Sequence, residues 1–175
     1  MRFVSTGIEG CWVVEWEPRR DERGFLARAF CADELATHGC DPRVAQVNIA
    51  STRAAGTVRG LHRQRGEEAE AKLVRCLRGR AFDVAVDVRP GSPTHRCHVG
   101  VELDADGDRA LYVPPWCAHG YQTLEDDTEL LYTSSRPYDP DAEEGFRVDD
   151  PAFAIPWPLP VKGLSEKDRS WPLLG

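Results

Sequence analysis

The amino-acid sequence predicts an all-β protein, a double-stranded β-helix of the jelly-roll kind with a few short helices. Three observations carry that prediction. From position 44 onward, short runs of branched and aromatic residues recur at near-regular spacing with turn chemistry between them, enough for about nine or ten strands. One segment, 31–39, has the make-up of a short helix with a glycine stop and is the best helix candidate. No repeat of fixed period and no low-complexity tract divides the 175 residues, so a single domain over 1–175 is expected.

In chain order, residues 10–17 are rich in tryptophan and valine and read as a first strand, and Asp21-Glu22-Arg23-Gly24 reads as a turn. Residues 25–30 fit strand or helix equally. Strands are expected over 44–50, 57–64, 71–78 and 81–88, with Gly79 marking the turn between the last two. Arg89-Pro90-Gly91-Ser92-Pro93 is a strong turn. Strands at 97–103 and 109–113 follow on either side of an aspartate-rich turn, and Pro114 and Pro115 end the second. Residues 118–124 and 129–134 form another pair across Glu125-Asp126-Asp127. From Pro137 to Pro160 the chain is proline-rich and acidic, which suits an ordered wrapping segment anchored by Trp157.

Composition narrows the function. Apolar residues make up 41% and charged residues 29%, the balance of a folding globular domain. The N-terminal residues lack the apolar core of a secretion signal, and no apolar run reaches the ~18 residues of a membrane span, so a cytoplasmic protein without a membrane partner is expected. The six cysteines fall without CxxC pairing, which favours reduced thiols. A net charge of −7 and the lack of a basic block argue against nucleic acid as a partner. A small anion is still allowed, because Arg59, Arg63, Arg65, Lys72 and Arg75 crowd into one stretch.

The most informative run is Val58-Arg59-Gly60-Leu61-His62-Arg63-Gln64. Histidine, with an unperturbed pKa of about 6.5, takes and returns a proton near neutral pH. Arg59 offers a rigid fork of donors that suits a phosphate. On this heptapeptide alone, the wall of a catalytic pocket and a solvated strand with one structural histidine fit equally. His119 raises the question of a metal. In metal-binding jelly rolls a HxH pair, a glutamate and a later histidine form the site, but position 64 is glutamine and no glutamate follows at suitable spacing. No metal is expected, and a structural or pocket-lining role suits His119 better.

The order of short motifs resembles the dTDP-4-dehydrorhamnose 3,5-epimerase family of nucleotide-sugar metabolism, nearly end to end. Asp21-Glu22-Arg23-Gly24-Phe25 looks like that family's DxRG element, Gln46-Val47-Asn48 like its QxN strand, and Arg59-Gly60-Leu61-His62 with Gln64 like its RGLHxQ signature. Ala71-Lys72-Leu73-Val74, residues 82–89 with 91–94, Ala118-His119-Gly120, Leu131-Tyr132 with Tyr138, Asp149-Asp150-Pro151, Trp157-Pro158 and Leu164-Ser165-Glu166-Lys167-Asp168 follow in the same order. The resemblance implies a cupin-like jelly roll and a homodimer formed by exchange of N-terminal strands, about 1–30, with residues 137–175 as a C-terminal wrapping segment. It implies no cofactor and no metal, and a nucleotide-sugar substrate, dTDP-linked.

It also implies roles. His62 would be the general base, Asp168 its carboxylate partner, Tyr132 the acid on the opposite face of the sugar, and Lys72 the charge that stabilises an enolate. Arg23, Gln46, Asn48 and Arg59 would hold the nucleotide and its diphosphate, with His119 and Tyr138 also lining the substrate site. The chemistry is coherent. Removing a proton beside a ketone needs a base at the C–H, positive charge at the ketone oxygen, and an acid for reprotonation. The expected reaction is epimerisation at C5, C3 or both of a 4-keto-6-deoxyhexose. A metal-dependent cupin isomerase or oxygenase, and a non-catalytic sugar-nucleotide-binding cupin, are the alternatives. Leu26 and Arg28 stand where the family has an aromatic residue and a glutamate, and Arg65-Gly66-Glu67-Glu68 replaces a proline-rich loop, changes that suit a modified deoxysugar.

Overall fold

The computed structural model describes residues 1–174, and two antiparallel sheets dominate it. The six-stranded sheet runs in the order β1 (Arg2–Ser5), β2 (Trp12–Glu15), β10 (Arg109–Val113), β7 (Lys72–Arg78), β12 (Thr128–Ser134) and β5 (Gln46–Thr52). The five-stranded sheet runs β13 (Glu143–Gly145), β6 (Val58–Gln64), β11 (Cys117–Thr123), β8 (Arg80–Asp87) and β9 (His98–Asp104). Strands adjacent in sequence repeatedly enter opposite sheets, as in the expected jelly roll. Two buried clusters draw on both sheets: Ala85, Leu111, Val113 and Cys117 at one end, and Val74, Cys76, Leu103 and Leu130 at the other.

Each outer face is covered by different chain. Val14, Leu73 and Tyr112 on the six-stranded sheet pack with Leu35 of helix α1 (Ala32–Thr37), which Gly39 follows at φ +71°. Val58, Leu61, Val84 and Val86 on the five-stranded sheet pack with Phe146, Val148 and Phe153 of the predicted wrapping segment. Trp157 anchors that segment as expected. Its Nε1 donates to Val148 O at 2.8 Å and its ring meets Phe82 edge-on.

The expected strands from 44 to 134 are all present, with ends shifted by one or two residues. Other parts differ. The strand expected over 10–17 is only β2, and β1 precedes it as an exposed edge too short to leave a pattern. Residues 19–26 form a hairpin, β3 (Arg19–Asp21) with β4 (Gly24–Leu26), which pairs with neither main sheet and is exposed throughout. β13 lies inside the segment read as pure wrapping, and α2 (Glu166–Ser170) is a second short helix. The six cysteines are free thiols, and burial pushes Cys76 up to about 11. Among the described residues no helix is long and apolar enough to cross a membrane.

Candidate active site

β6 carries His62 between β13 and β11. Gly60, at φ +125°, has no room for a side chain: a Cβ there would lie 2.6 Å from Gly120 Cα on β11. The two strands therefore approach closely and set His62 beside His119 in register. Each imidazole is then oriented by an aspartate. His62 Nε2 meets Asp168 Oδ1 at 2.6 Å, and His119 Nε2 meets Asp83 Oδ1 at 2.8 Å. With the Nε2 proton donated to Asp168, Nδ1 of His62 is left as the basic nitrogen.

Asp168 arrives on α2. Ser165 caps that helix, its Oγ accepting from Asp168 N at 3.0 Å. Burial pushes the Asp168 carboxyl up, but the His62 hydrogen bond and charge, with lesser help from Ser165 and the Gly60 backbone, outweigh it and hold the group below the usual carboxylate range. It is a carboxylate at neutral pH. The side chain of Asp168 is 5% exposed and that of His62 30%, so the pair has one buried partner and one facing the cleft.

The opposite sheet supplies Lys72 on β7 and Tyr132 on the adjacent β12. Lys72 Nζ lies 2.7 Å from Glu70 Oε1, while Glu70 Oε2 accepts from Gln64 N at 3.1 Å, so the ammonium is held by a largely buried carboxylate. Burial raises the Tyr132 phenol's pKa; the charge of Arg59 opposes the rise and that of Glu70 reinforces it. The hydroxyl is protonated at neutral pH and can donate.

Two cavities meet at these groups. One, of about 510 Å³, is lined by Arg59, His62, Lys72, His119, Tyr132 and Asp168. The other, of about 450 Å³, shares His62, Lys72 and Tyr132 and adds Gln46, Asn48 and Tyr138. They form one cleft with His62 at its waist. Arg59 is braced by Thr52 Oγ1 at 3.1 Å, and Tyr138 N donates to Gln46 Oε1 at 3.0 Å. The Tyr138 hydroxyl donates to Glu143 Oε2 at 2.8 Å, and the same carboxylate is ion-paired to Lys167.

All the expected site residues converge there except Arg23. It sits at the tip of the β3–β4 hairpin, its side chain 84% exposed and bonded to Asp21, and lines neither cavity. Arg28 pairs with Glu34 at 3.0 Å and Leu26 is 76% exposed. Asp83, Glu70, Glu143 and Lys167 were not anticipated. For Asp83 the signal was an acid between apolar residues in the middle of a strand. His62, His119 and Gln64 do not share a free coordination point. Both Nε2 atoms are held by aspartates, and the Gln64 amide is bonded to Glu68 O, Pro137 O and Asp139 N. Among the described residues no three His, Cys, Asp or Glu side chains group as metal ligands.

A jelly roll enclosing an oriented imidazole, an ammonium and a protonated phenol in one cleft has the parts of an isomerase acting on a carbon acid. A family model described as dTDP-4-dehydrorhamnose 3,5-epimerase matches residues 5–175. The dTDP-4-dehydrorhamnose 3,5-epimerase of Sinorhizobium fredii is 43% identical, with 99% of this chain and 90% of that protein covered. The dTDP-4-dehydrorhamnose 3-epimerase of Streptomyces niveus is 41% identical over 99% of this chain and 84% of its own. A crystal structure of dTDP-6-deoxy-D-glucose-3,5-epimerase from Legionella pneumophila, in complex with dTDP-4-keto-L-rhamnose, superposes with a TM-score of 0.91 at 35% identity, covering 98% of this chain and 92% of that one. This chain belongs to the dTDP-4-dehydrorhamnose 3,5-epimerase family.

Proposed function

We propose that the protein inverts C3, C5 or both centres of a dTDP-linked 4-keto-6-deoxyhexose through an enolate. The observation that carries the reading is the 2.6 Å contact of His62 with Asp168 in a cleft that also holds Lys72 and Tyr132. Nδ1 of His62 removes the proton beside the C4 ketone, and Asp168 stabilises the imidazolium that results. Lys72 offsets the negative charge that develops on the ketone oxygen. Tyr132, on the facing sheet, returns a proton to the other face, and that change of face is the inversion. Arg59, Gln46 and Asn48 hold the nucleotide and its diphosphate, and His119, fixed by Asp83, and Tyr138 line the substrate site.

The working unit of this reading is a cytoplasmic homodimer. In this reading the N-terminal strands exchange between the two chains, and the β3–β4 hairpin, which pairs with neither main sheet, is the part that reaches the second copy. Phe25 and Leu26 on that hairpin are 57% and 76% exposed, and Val47 and Ile49 on edge strand β5 are 59% and 66% exposed, apolar surface of the kind that pairs with a partner. Exchange would carry Arg23 to the partner's cleft.

The test is proton NMR of a dTDP-4-keto-6-deoxyhexose in deuterated water. The expected result is deuterium at C3, C5 or both with the natural protein and none with His62→Ala. Equal incorporation by the two proteins would rule out His62 as the base.

A further inference from the structure

We propose that Trp171 and Gly145 form a positioning pair that docks α2 so that Asp168 meets His62, an inference that rests on the reading of His62 and Asp168 as base and partner. α2 has five residues, far below the ~12–15 at which an isolated helix becomes stable, so its placement comes from docking. The register of β13 on β6 sets Gly145 directly opposite His62. The indole of Trp171, just past the end of α2, lies on the backbone of Gly145. A β-carbon at position 145 would fall inside the van der Waals surface of the indole, against Cε2 and Nε1. Glycine at 145 is thus required by the ring.

Trp171 follows Asp168 by three residues, about one helical turn, so ring and carboxylate reach the same two strands together. Trp171 rests beside the strand position facing His62, and Asp168 touches His62 itself. Trp171 Nε1 is buried with no hydrogen-bond partner, so the ring serves by shape rather than by its N–H, and an apolar ring can replace it. Other fastenings also hold the segment. Lys167 on α2 is ion-paired to Glu143 on β13, Val58 N donates to Gly163 O at 2.8 Å, Arg147 Nη1 to Arg169 O at 3.2 Å, and Leu174 N to Asp150 Oδ2 at 2.7 Å. They keep the segment attached when the indole is removed, but none of them rests on Gly145, the residue facing His62.

The experiment compares Trp171→Ala, Gly145→Ala and Trp171→Phe in solvent-deuterium exchange, in thymidine diphosphate affinity and in the nitrogen NMR shifts of the His62 ring, which report which ring nitrogen carries the proton. Trp171→Ala and Gly145→Ala are expected to lose about 10- to 100-fold in kcat, because a displacement of about 1 Å at a catalytic group costs that much. Their diphosphate affinity should hold, and the His62 ring should lose the single Nε2–H tautomer that Asp168 selects. Trp171→Phe should restore both rate and tautomer. Unchanged ring shifts in Trp171→Ala overturn the proposal, as does a Trp171→Phe protein as impaired as Trp171→Ala. Where Trp171→Ala fails to fold, Gly145→Ala decides by the same shifts. A natural protein with no exchange would remove the catalytic reading, while the ring shifts would still report on the docking.

Discussion

His62 on β6 and Asp168 on α2 meet at 2.6 Å across 106 positions of chain, with the carboxylate buried and the imidazole facing the cleft. The short helix does one job at that contact: it fixes which nitrogen of His62 is free. Asp168→Asn keeps the shape but can turn an amide N–H toward Nε2, which favours the wrong tautomer. A loss of about 10²- to 10⁴-fold in kcat is expected, with little change in diphosphate affinity. Single-turnover exchange with and without the substitution checks it, and an Asp168→Asn protein of natural rate would show that the imidazole needs no partner.

In the proposed reaction Tyr132 separates proton removal from inversion. A phenol is ordinarily protonated at neutral pH, and burial raises the pKa of this one further, so it is placed to donate rather than to act as base. Tyr132→Phe should still wash deuterium into the substrate from the His62 side while net inversion falls by about 10²- to 10⁴-fold. Following both signals in one NMR time course makes the comparison. Parallel loss of exchange and inversion would mean that Tyr132 serves the first step.

Lys72 and Glu70 couple stability to activity. The side chains are 13% and 7% exposed, so removing the ammonium alone leaves a buried carboxylate without its cation. Lys72→Met should cost about 3–5 kcal/mol in denaturant unfolding, whereas Lys72→Met with Glu70→Gln should recover most of that. Neither protein should turn over. Recovered catalysis in the double variant would place enolate stabilisation elsewhere.

Acid stability is expected to depend on Asp87. Burial pushes its carboxyl up, but Arg89, Ser92, Thr94 and a backbone N–H more than reverse this and hold it well below the usual range. A folded pKa below the unfolded value of about 3.9 means stability that is full above that value and lost as pH falls through the folded pKa. Asp87→Asn should lower stability at pH 7 and flatten the acid limb of an unfolding-versus-pH curve. A limb of unchanged slope would count against this assignment.

The legible and illegible parts of the sequence differ by how local their causes are. Strands such as β10 and β12 announce themselves through branched residues between turns, and the order of motifs around His62, Lys72 and Tyr132 pointed to one cleft. β13 left no trace: Glu143-Glu144-Gly145 is a strand only because β6 offers it an edge. α2 was hidden for the same reason. Its polar sequence reads as tail until Ser165 caps it and Asp168 finds His62. Asp83 was visible as an acid between apolar residues, but that it would orient His119 depends on the pairing of β8 with β11.

Arg23 was read as a substrate contact, yet within its own chain it points from a hairpin tip into solvent. If the hairpin reaches a partner, each cleft takes His62 from one chain and Arg23 from the other. Arg23→Ala alone should then weaken diphosphate binding, as for loss of a charged hydrogen bond. Mixing Arg23→Ala with His62→Ala subunits after unfolding gives a sharper test. A mixed dimer pairs a chain with intact His62 with the partner's intact Arg23, so one of its two clefts is complete. Random reassociation should recover roughly a quarter of the natural activity from two impaired proteins. If each chain completes its own cleft, both clefts of the mixed dimer stay defective, and mixing yields no more than the average of the separate variants.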